Sequence, residues 1–274
     1  MAAATFGSTL RLLRVDSGLS LRSLAQRIGV SCAYLSRVEN GLDPAPTSDR
    51  LIEIARSLQL PPTLLLELAH RTGSFVSRYL DEVPAASALF LEIARRRLLP
   101  MQIARLKAVV ETEFGAPSQD AAYISLSSLL VEDRVVVSLS CSDLDDVIDV
   151  AAARLLPALG LSARELSECI KKRERAASTA LGGGVAVPHA VLAAAPPRAT
   201  LITLAKPLHV QTPDHEPLRL VLVCLLPPEG TTHLQALAAV ARIALRDSAA
   251  DLVAQPDSAA ILQKLRQLEQ AEGR

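Results

Sequence analysis

Apolar positions follow two different periods along this chain, and the change from one to the other divides it. From Phe6 to Leu68 the spacing is helical, in short punctuated segments. Leu10, Leu13 and Arg14 line up ahead of the turn Asp16-Ser-Gly-Leu. Ser20 then precedes Leu21, Leu24, Ala25 and Ile28, an apolar stripe with a natural N-cap, and Gly29 closes it. Ser31 caps a third helix, Cys32 to Glu39, stopped by Asn40-Gly41. Leu51-Ile-Glu-Ile-Ala continues into a fourth helix, and Leu58 to Ala69 supplies a linker and a fifth. The expected unit is an all-α domain over residues 6–70. Two short helices joined by a glycine-containing turn make a helix-turn-helix.

Gly73-Ser74 marks the next boundary. Helical spacing resumes over Phe75 to Leu80 and Ser87 to Phe114, with Leu89, Leu91, Ile93, Leu98, Leu99, Ile103, Leu106, Val109 and Val110. Pro84 and Pro100 divide it into two or three helices. This connector, residues 74–115, is expected to offer a dimerisation surface, and Gly115-Ala-Pro-Ser-Gln reads as a linker.

Over residues 120–272, strand-like and helical stretches alternate, the pattern of an α/β domain. Arg134-Val-Val-Val-Ser-Leu is β-branched. Ser142-Asp143 caps an amphipathic helix through Leu156, and Ser162-x-x-Glu165 is a capping box opening another, to about Lys172. Ala199 to Leu204 and Leu218 to Leu226 are apolar runs of strand length. Thr232 to Arg246 and Ser258 to Glu272 read as helices.

Between these elements lies the segment richest in chemistry. Glu174-Arg-Ala-Ala-Ser-Thr-Ala-Leu-Gly-Gly-Gly-Val-Ala-Val-Pro188 closes on His189. Ser178 and Thr179 offer hydroxyls, and Gly182, Gly183 and Gly184 offer backbone N–H groups that suit an anion. A neutral imidazole accepts and returns a phosphoryl group near neutral pH.

Residues Arg173 to His189 resemble the active-site signature of the fructose/mannitol/nitrogen class of phosphotransferase-system EIIA domains, with Ala180 in place of the usual glycine. Leu218 to Pro228 resembles the family's core strand. His233-Leu234, Leu237, Ala238 and Ala241-Arg242 resemble its H-L-x-x-L-A-x-x-A-R helix. The resemblance implies a relay in which His189 takes a phosphoryl group from the histidine of HPr or a homologue. Thr179 and the Gly182–Gly184 amides would cradle its oxygens, with Arg173 and His233 supplying positive charge. Such a transfer needs neither metal nor cofactor. Ala180, and Ala-Val-Leu after His189 where the family often has a basic residue, put the transfer in doubt: an alanine there would hold one cradle amide out of line.

The N-terminal string Gly18-Leu-Ser, Leu24-Ala, Gly29-Val-Ser, Tyr34-Leu-Ser-Arg, Glu39 and Gly41 resembles the XRE/Cro-type helix-turn-helix family. The resemblance places Ser31, Cys32, Ala33, Ser36 and Arg37 toward base edges. Arg37 alone has a fork matched to guanine. Ser20 and Gln26 would contact phosphate, and Tyr34 would reach DNA or pack at the domain edge.

Charge adds little. The chain carries 29 basic and 29 acidic residues. In residues 1–71 eight arginines face six carboxylates, an excess of only +2, so useful DNA affinity calls for a dimer. The composition is 50% hydrophobic and 3% aromatic with no Trp, so aliphatic side chains must build the cores. Four scattered cysteines lack metal or disulfide spacing, no N-terminal signal is evident, and no apolar run is long enough for a membrane span. The expectation is a cytoplasmic, multi-domain transcriptional regulator that binds operator DNA as a homodimer and is phosphorylated by an HPr-type donor. Two other readings fit the same residues: a phosphocarrier serving an EIIB partner, and a phosphorylation-dead EIIA-like docking or sensor protein.

Overall fold

Both serine caps of the helix-turn-helix form as the sequence indicates. Ser20 accepts from the Ser23 N–H and Ser31 from the Tyr34 N–H, which start helices α2 (Leu21–Arg27) and α3 (Cys32–Glu39). Around them lie α1 (Ala2–Asp16), α4 (Ser48–Ser57) and α5 (Pro62–Leu68). The computed structural model describes residues 2–70, 72–114, 124–155, 162–193, 196–228, 231–245 and 248–272. Helix α1 begins four residues before Phe6 and ends on Asp16, which the sequence assigns to a turn.

Arg14 of α1 and Glu39 of α3 form a buried two-pronged ion pair at 2.6 and 2.8 Å. Arg14 also donates to the Leu19 carbonyl at 2.8 Å. The pair ties the first helix to the end of the third.

The connector folds into α6 (Thr72–Glu82), α7 (Pro84–Arg96) and α8 (Pro100–Phe114). Each proline opens a helix, where its missing N–H costs nothing. The Gly73-Ser74 boundary falls inside α6. Leu89, Phe90, Leu91, Leu99, Met101, Val109 and Val110 are all more than half exposed. The linker read over 115–119 lies outside the described residues.

The C-terminal domain opens with the short α9 (Leu126–Leu129), then β1 (Val135–Leu139), α10 (Leu144–Leu155) and α11 (Ala163–Ala176). Asp143 accepts the Asp146 N–H at the start of α10, and Ser162 with Glu165 forms the expected capping box on α11. Helix α11 runs four residues past Lys172, to Ala176. Next come β2 (Ala180–Gly182), β3 (Val185–Ala186), β4 (His189–Val191), β5 (Arg198–Leu208) and β6 (Leu218–Leu226). Helices α12 (Thr232–Leu245), α13 (Ser248–Val253) and α14 (Ser258–Glu272) complete the chain. The mixed sheet has the order β1-β5-β6-β3-β2, with β4 also paired to β6. β1 lies parallel to β5 and antiparallel β5 joins β6, while β3 and β4 run parallel to β6.

Strand β6 alternates between two cores. Val221, Val223 and Leu225 pack with Val147, Ile148, Leu166 and Ile170 of α10 and α11. Leu220, Leu222, Cys224 and Leu226 face the other way, toward α12–α14. This second core does not stop at the domain edge. It runs on into Phe6, Leu10, Leu64 and Leu66 of the helical domain as one buried cluster. Helix α5 shows why. Leu64, Leu65, Leu66 and Leu68 are all buried, so the helix is covered around most of its circumference, with Thr63 and Glu67 on the partly open side. Its own domain covers one face, and α12 packs on another.

Candidate phosphoryl-acceptor site

His189 opens β4, aligned in register with Cys224 on the central β6. The Cys224 N–H donates to the Pro188 carbonyl, so the residue before the histidine is fixed on the sheet. The imidazole is 1% exposed. Its Nδ1 lies 2.8 Å from the Val187 carbonyl, which can only accept, so Nδ1 carries the proton and Nε2 faces away from the strand.

Nε2 does not face solvent. It meets Oδ1 of Asp16, the last residue of α1, at 2.9 Å. Arg173 of α11 holds the same carboxylate through Nε at 3.0 Å and Nη2 at 2.7 Å, and braces itself on the Ala177 carbonyl at 2.8 Å. His233, in the first turn of α12, approaches the Asp16 backbone carbonyl through Nε2 at 3.3 Å. Its Nδ1 is buried without a hydrogen-bond partner among the described residues. Three elements of the C-terminal domain thus converge on one residue of the helical domain.

Burial alone would raise the Asp16 pKa. Hydrogen bonds from His189 and Arg173, with their charges, outweigh it and bring the carboxyl down to about 2. A carboxyl depressed in the folded state contributes stability above its ordinary value near 4, and that stability is lost as pH falls through about 2. The contribution is on the order of 2 kcal/mol. Chemical denaturation between pH 5 and pH 2 should show this loss, and Asp16→Asn should flatten that part of the profile. An unchanged slope in the variant would remove Asp16 as its source.

With this geometry in view, comparison with known proteins is decisive for the family. The model of the phosphoenolpyruvate-dependent sugar phosphotransferase system EIIA 2 family matches residues 128–268. The chain belongs to this family. A helix-turn-helix domain model matches residues 5–68. A nitrogen regulatory protein of Bradyrhizobium diazoefficiens is 31% identical over 128 residues, 44% of this chain and 80% of that protein. An uncharacterized HTH-type transcriptional regulator of Mycobacterium tuberculosis is 44% identical over 59 residues, 22% of this chain and 41% of that protein. The crystal structure of nitrogen regulatory protein IIA-Ntr from Neisseria meningitidis aligns with 51% of this chain and 97% of its own, at 25% identity and a TM-score of 0.45. The two domains support a DNA-binding regulator fused to an EIIA-like domain. Among the described residues no helix is long and apolar enough to cross a membrane.

Within the EIIA domain the structure brings His189, Arg173 and His233 together, as the signature implies. It corrects two members of the cradle, Thr179 and Gly183. Thr179 is buried, with its N–H and hydroxyl both on the Glu174 carboxylate at 2.9 and 2.6 Å. Its hydroxyl fixes the loop rather than facing an anion. Gly183 and Gly184 form the tight turn between β2, which ends on Gly182, and β3, and the Gly183 N–H is spent on Asp214 at 2.7 Å. The Gly184 carbonyl accepts from Arg219 and Leu220. Ala180 is also corrected. It sits in β2 opposite Ala186 and is not among the residues with positive φ, so its side chain imposes no strain on the loop.

Asp16, Glu174 and Asp214 are the residues that sequence reasoning missed. For Asp16 the sequence shows only a turn residue ahead of Gly18, and nothing local points to the histidine.

The DNA-facing candidates sit away from this junction. Ser20, Gln26, Ser31, Cys32, Ala33 and Arg37 are exposed. Ser36 is half-buried and accepts from the Asn40 side chain, while Tyr34 packs against the domain core. Arg37 needs a correction: its fork is not free. It holds Asp43 through three hydrogen bonds of 2.7–3.1 Å. The arginine side chain is 60% exposed, and a pair this exposed exchanges readily for a better partner. Arg37→Ala should weaken binding to a selected operator about tenfold to a hundredfold without changing thermal stability. Equal affinity of variant and parent would remove Arg37 from base recognition.

Proposed function

We propose that the chain is a transcriptional regulator whose EIIA domain accepts a phosphoryl group on Nε2 of His189 from a phosphohistidine carrier of the HPr type. The convergence of Nε2, Arg173 and His233, with Nδ1 anchored on Val187, carries the reading. In the transfer the donor's P–N bond breaks and its electron pair returns to the donor imidazole. The Nε2 lone pair forms the new P–N bond. Arg173 and His233 are positioned to offset the charge that this adds.

The helix-turn-helix would bind a two-fold operator as a homodimer, joined through the exposed apolar faces of α6–α8. Monomeric proteins rarely leave so much contiguous apolar surface open, and the modest charge excess of the helical domain calls for two recognition helices. The relatives named nitrogen regulatory protein point the same way for the signal, since their name joins regulation to this domain.

Incubation with phosphoenolpyruvate, enzyme I and HPr should label the protein once, with the acid lability of phosphohistidine, and His189→Ala should abolish the label. Ala180→Gly should leave its rate unchanged, because Ala180 already occupies an ordinary strand conformation. Retained label in His189→Ala would refute the acceptor assignment. A faster glycine variant would restore the cradle reading of the loop.

A second reading has its own observation. A histidine 1% exposed beneath another domain suits a phosphorylation-dead docking protein.

A further inference from the structure

We propose that the helix-turn-helix domain is itself the resident occupant of the phosphoryl site: Asp16 fills the position of the incoming group, so the docked domain and phosphorylated His189 exclude one another. The proposal rests on the reading of His189 as acceptor and adds how access to it is controlled.

Asp16 blocks the histidine in two ways. The first is position. The carboxylate stands 2.9 Å from Nε2, and a phosphorus atom bonded to that nitrogen would lie inside the gap. The second is protonation. Val187 O and Asp16 Oδ1 are both acceptors, so a ring that satisfies both donates from both nitrogens and keeps no lone pair for attack. Transfer therefore requires that Asp16 leave and that the Nε2 proton pass to it or to solvent. The lone pair then forms the new P–N bond as described above.

The charges make the exclusion mutual. A bound phosphoryl group carries close to two negative charges. It would face the Asp16 carboxylate across a buried space, where like charges repel strongly. The docked carboxylate already uses the guanidinium of Arg173, and His233 is held on the backbone carbonyl of the same residue, so the groups that would offset the phosphoryl charge are occupied. One guanidinium thus serves either anion.

Asp16 cannot leave alone. It ends a rigid helix whose Ser8 hydroxyl donates to the Leu181 carbonyl at 2.7 Å, and α1 packs along α12 and β2. An open cleft at this junction is lined by Ser8, Arg11, Ser178, Ala180, Thr212 and His215, but His189 is not in its wall. Reaching the histidine therefore means separating the domains. Ser31, Cys32, Ala33 and Arg37 are exposed while docked, so separation does not uncover them. It changes where the recognition helix is held.

The experiment uses the full chain. The rate of labelling by phospho-HPr is compared among the parent, Asp16→Ala and Asp16→Asn, and amide hydrogen exchange is followed in α1 and α12 before and after labelling. Both variants should label at least tenfold faster than the parent, and phosphorylation of the parent should raise exchange in both helices. Equal rates in all three proteins, or a phosphorylated parent whose α1 and α12 stay protected, would overturn the exclusion while leaving His189 as acceptor. If none is labelled under conditions that label HPr itself, the acceptor reading fails and the exclusion with it.

Discussion

Arg14→Met is expected to destabilise the helical domain by about 3–5 kcal/mol, the cost of leaving a buried charge without its partner. The variant strands the Glu39 carboxylate, whose side chain is 4% exposed, and removes two of its hydrogen bonds. The Leu19 carbonyl loses a donor as well. Arg14→Met with Glu39→Leu should recover most of the stability, because an apolar pair of similar volume can replace a buried ion pair. Denaturant unfolding of the parent, both single variants and the double variant would form the cycle. If Arg14→Met alone costs less than about 1 kcal/mol, the pair is hydrated in solution and holds α1 only weakly. The pair matters beyond stability because Arg14 lies two residues from Asp16 and links that end of α1 to the end of α3.

The second large effect is expected at Gly183. Its φ is +61°, and a Cβ built there would lie 2.6 Å from the Ala244 carbonyl oxygen, a backbone atom at the end of α12. Gly183→Ala should therefore lose on the order of 3 kcal/mol, from left-handed strain together with a clash that no rotamer change relieves. A phosphate-cradling loop would give the opposite signature: normal thermal stability with slowed labelling. A variant that melts normally but labels slowly would return the glycines to the role the signature suggests.

The elements legible from sequence were those that signal locally. Capped helices with apolar stripes, such as α3 and α11, and long apolar strands such as β6 carry their identity within a dozen residues. Strands β2, β3 and β4 have only two or three residues each, in a segment rich in glycine and proline, and they exist because β6 and its neighbours pair with them. Gly73 lies in the first turn of α6, so the boundary read there falls inside the start of a helix. In the candidate site, His189, Arg173 and His233 were readable because the family signature carries them. Thr179 and Gly183 were readable as residues but not as roles, since Glu174 and Asp214 hold their polar groups. Asp16 lies 173 positions from the histidine it meets, and no local pattern encodes that contact.

The shared core has a consequence for how such a chain can be altered. A recognition domain hung on a flexible tether can be exchanged like a cassette, because neither neighbour notices the change. Here four leucines of α5 are buried, all of them, like Phe6 and Leu10, in a cluster that continues beneath the sheet. A graft carrying another DNA specificity would thus have to reproduce the outer faces of α1 and α5 as well as the contacts of α3. Surface positions on α3 are free to drift toward new operators. The back of the same domain is bound to its neighbour's shape, so a change of DNA contact and a change of domain contact would draw on different residues of one small fold.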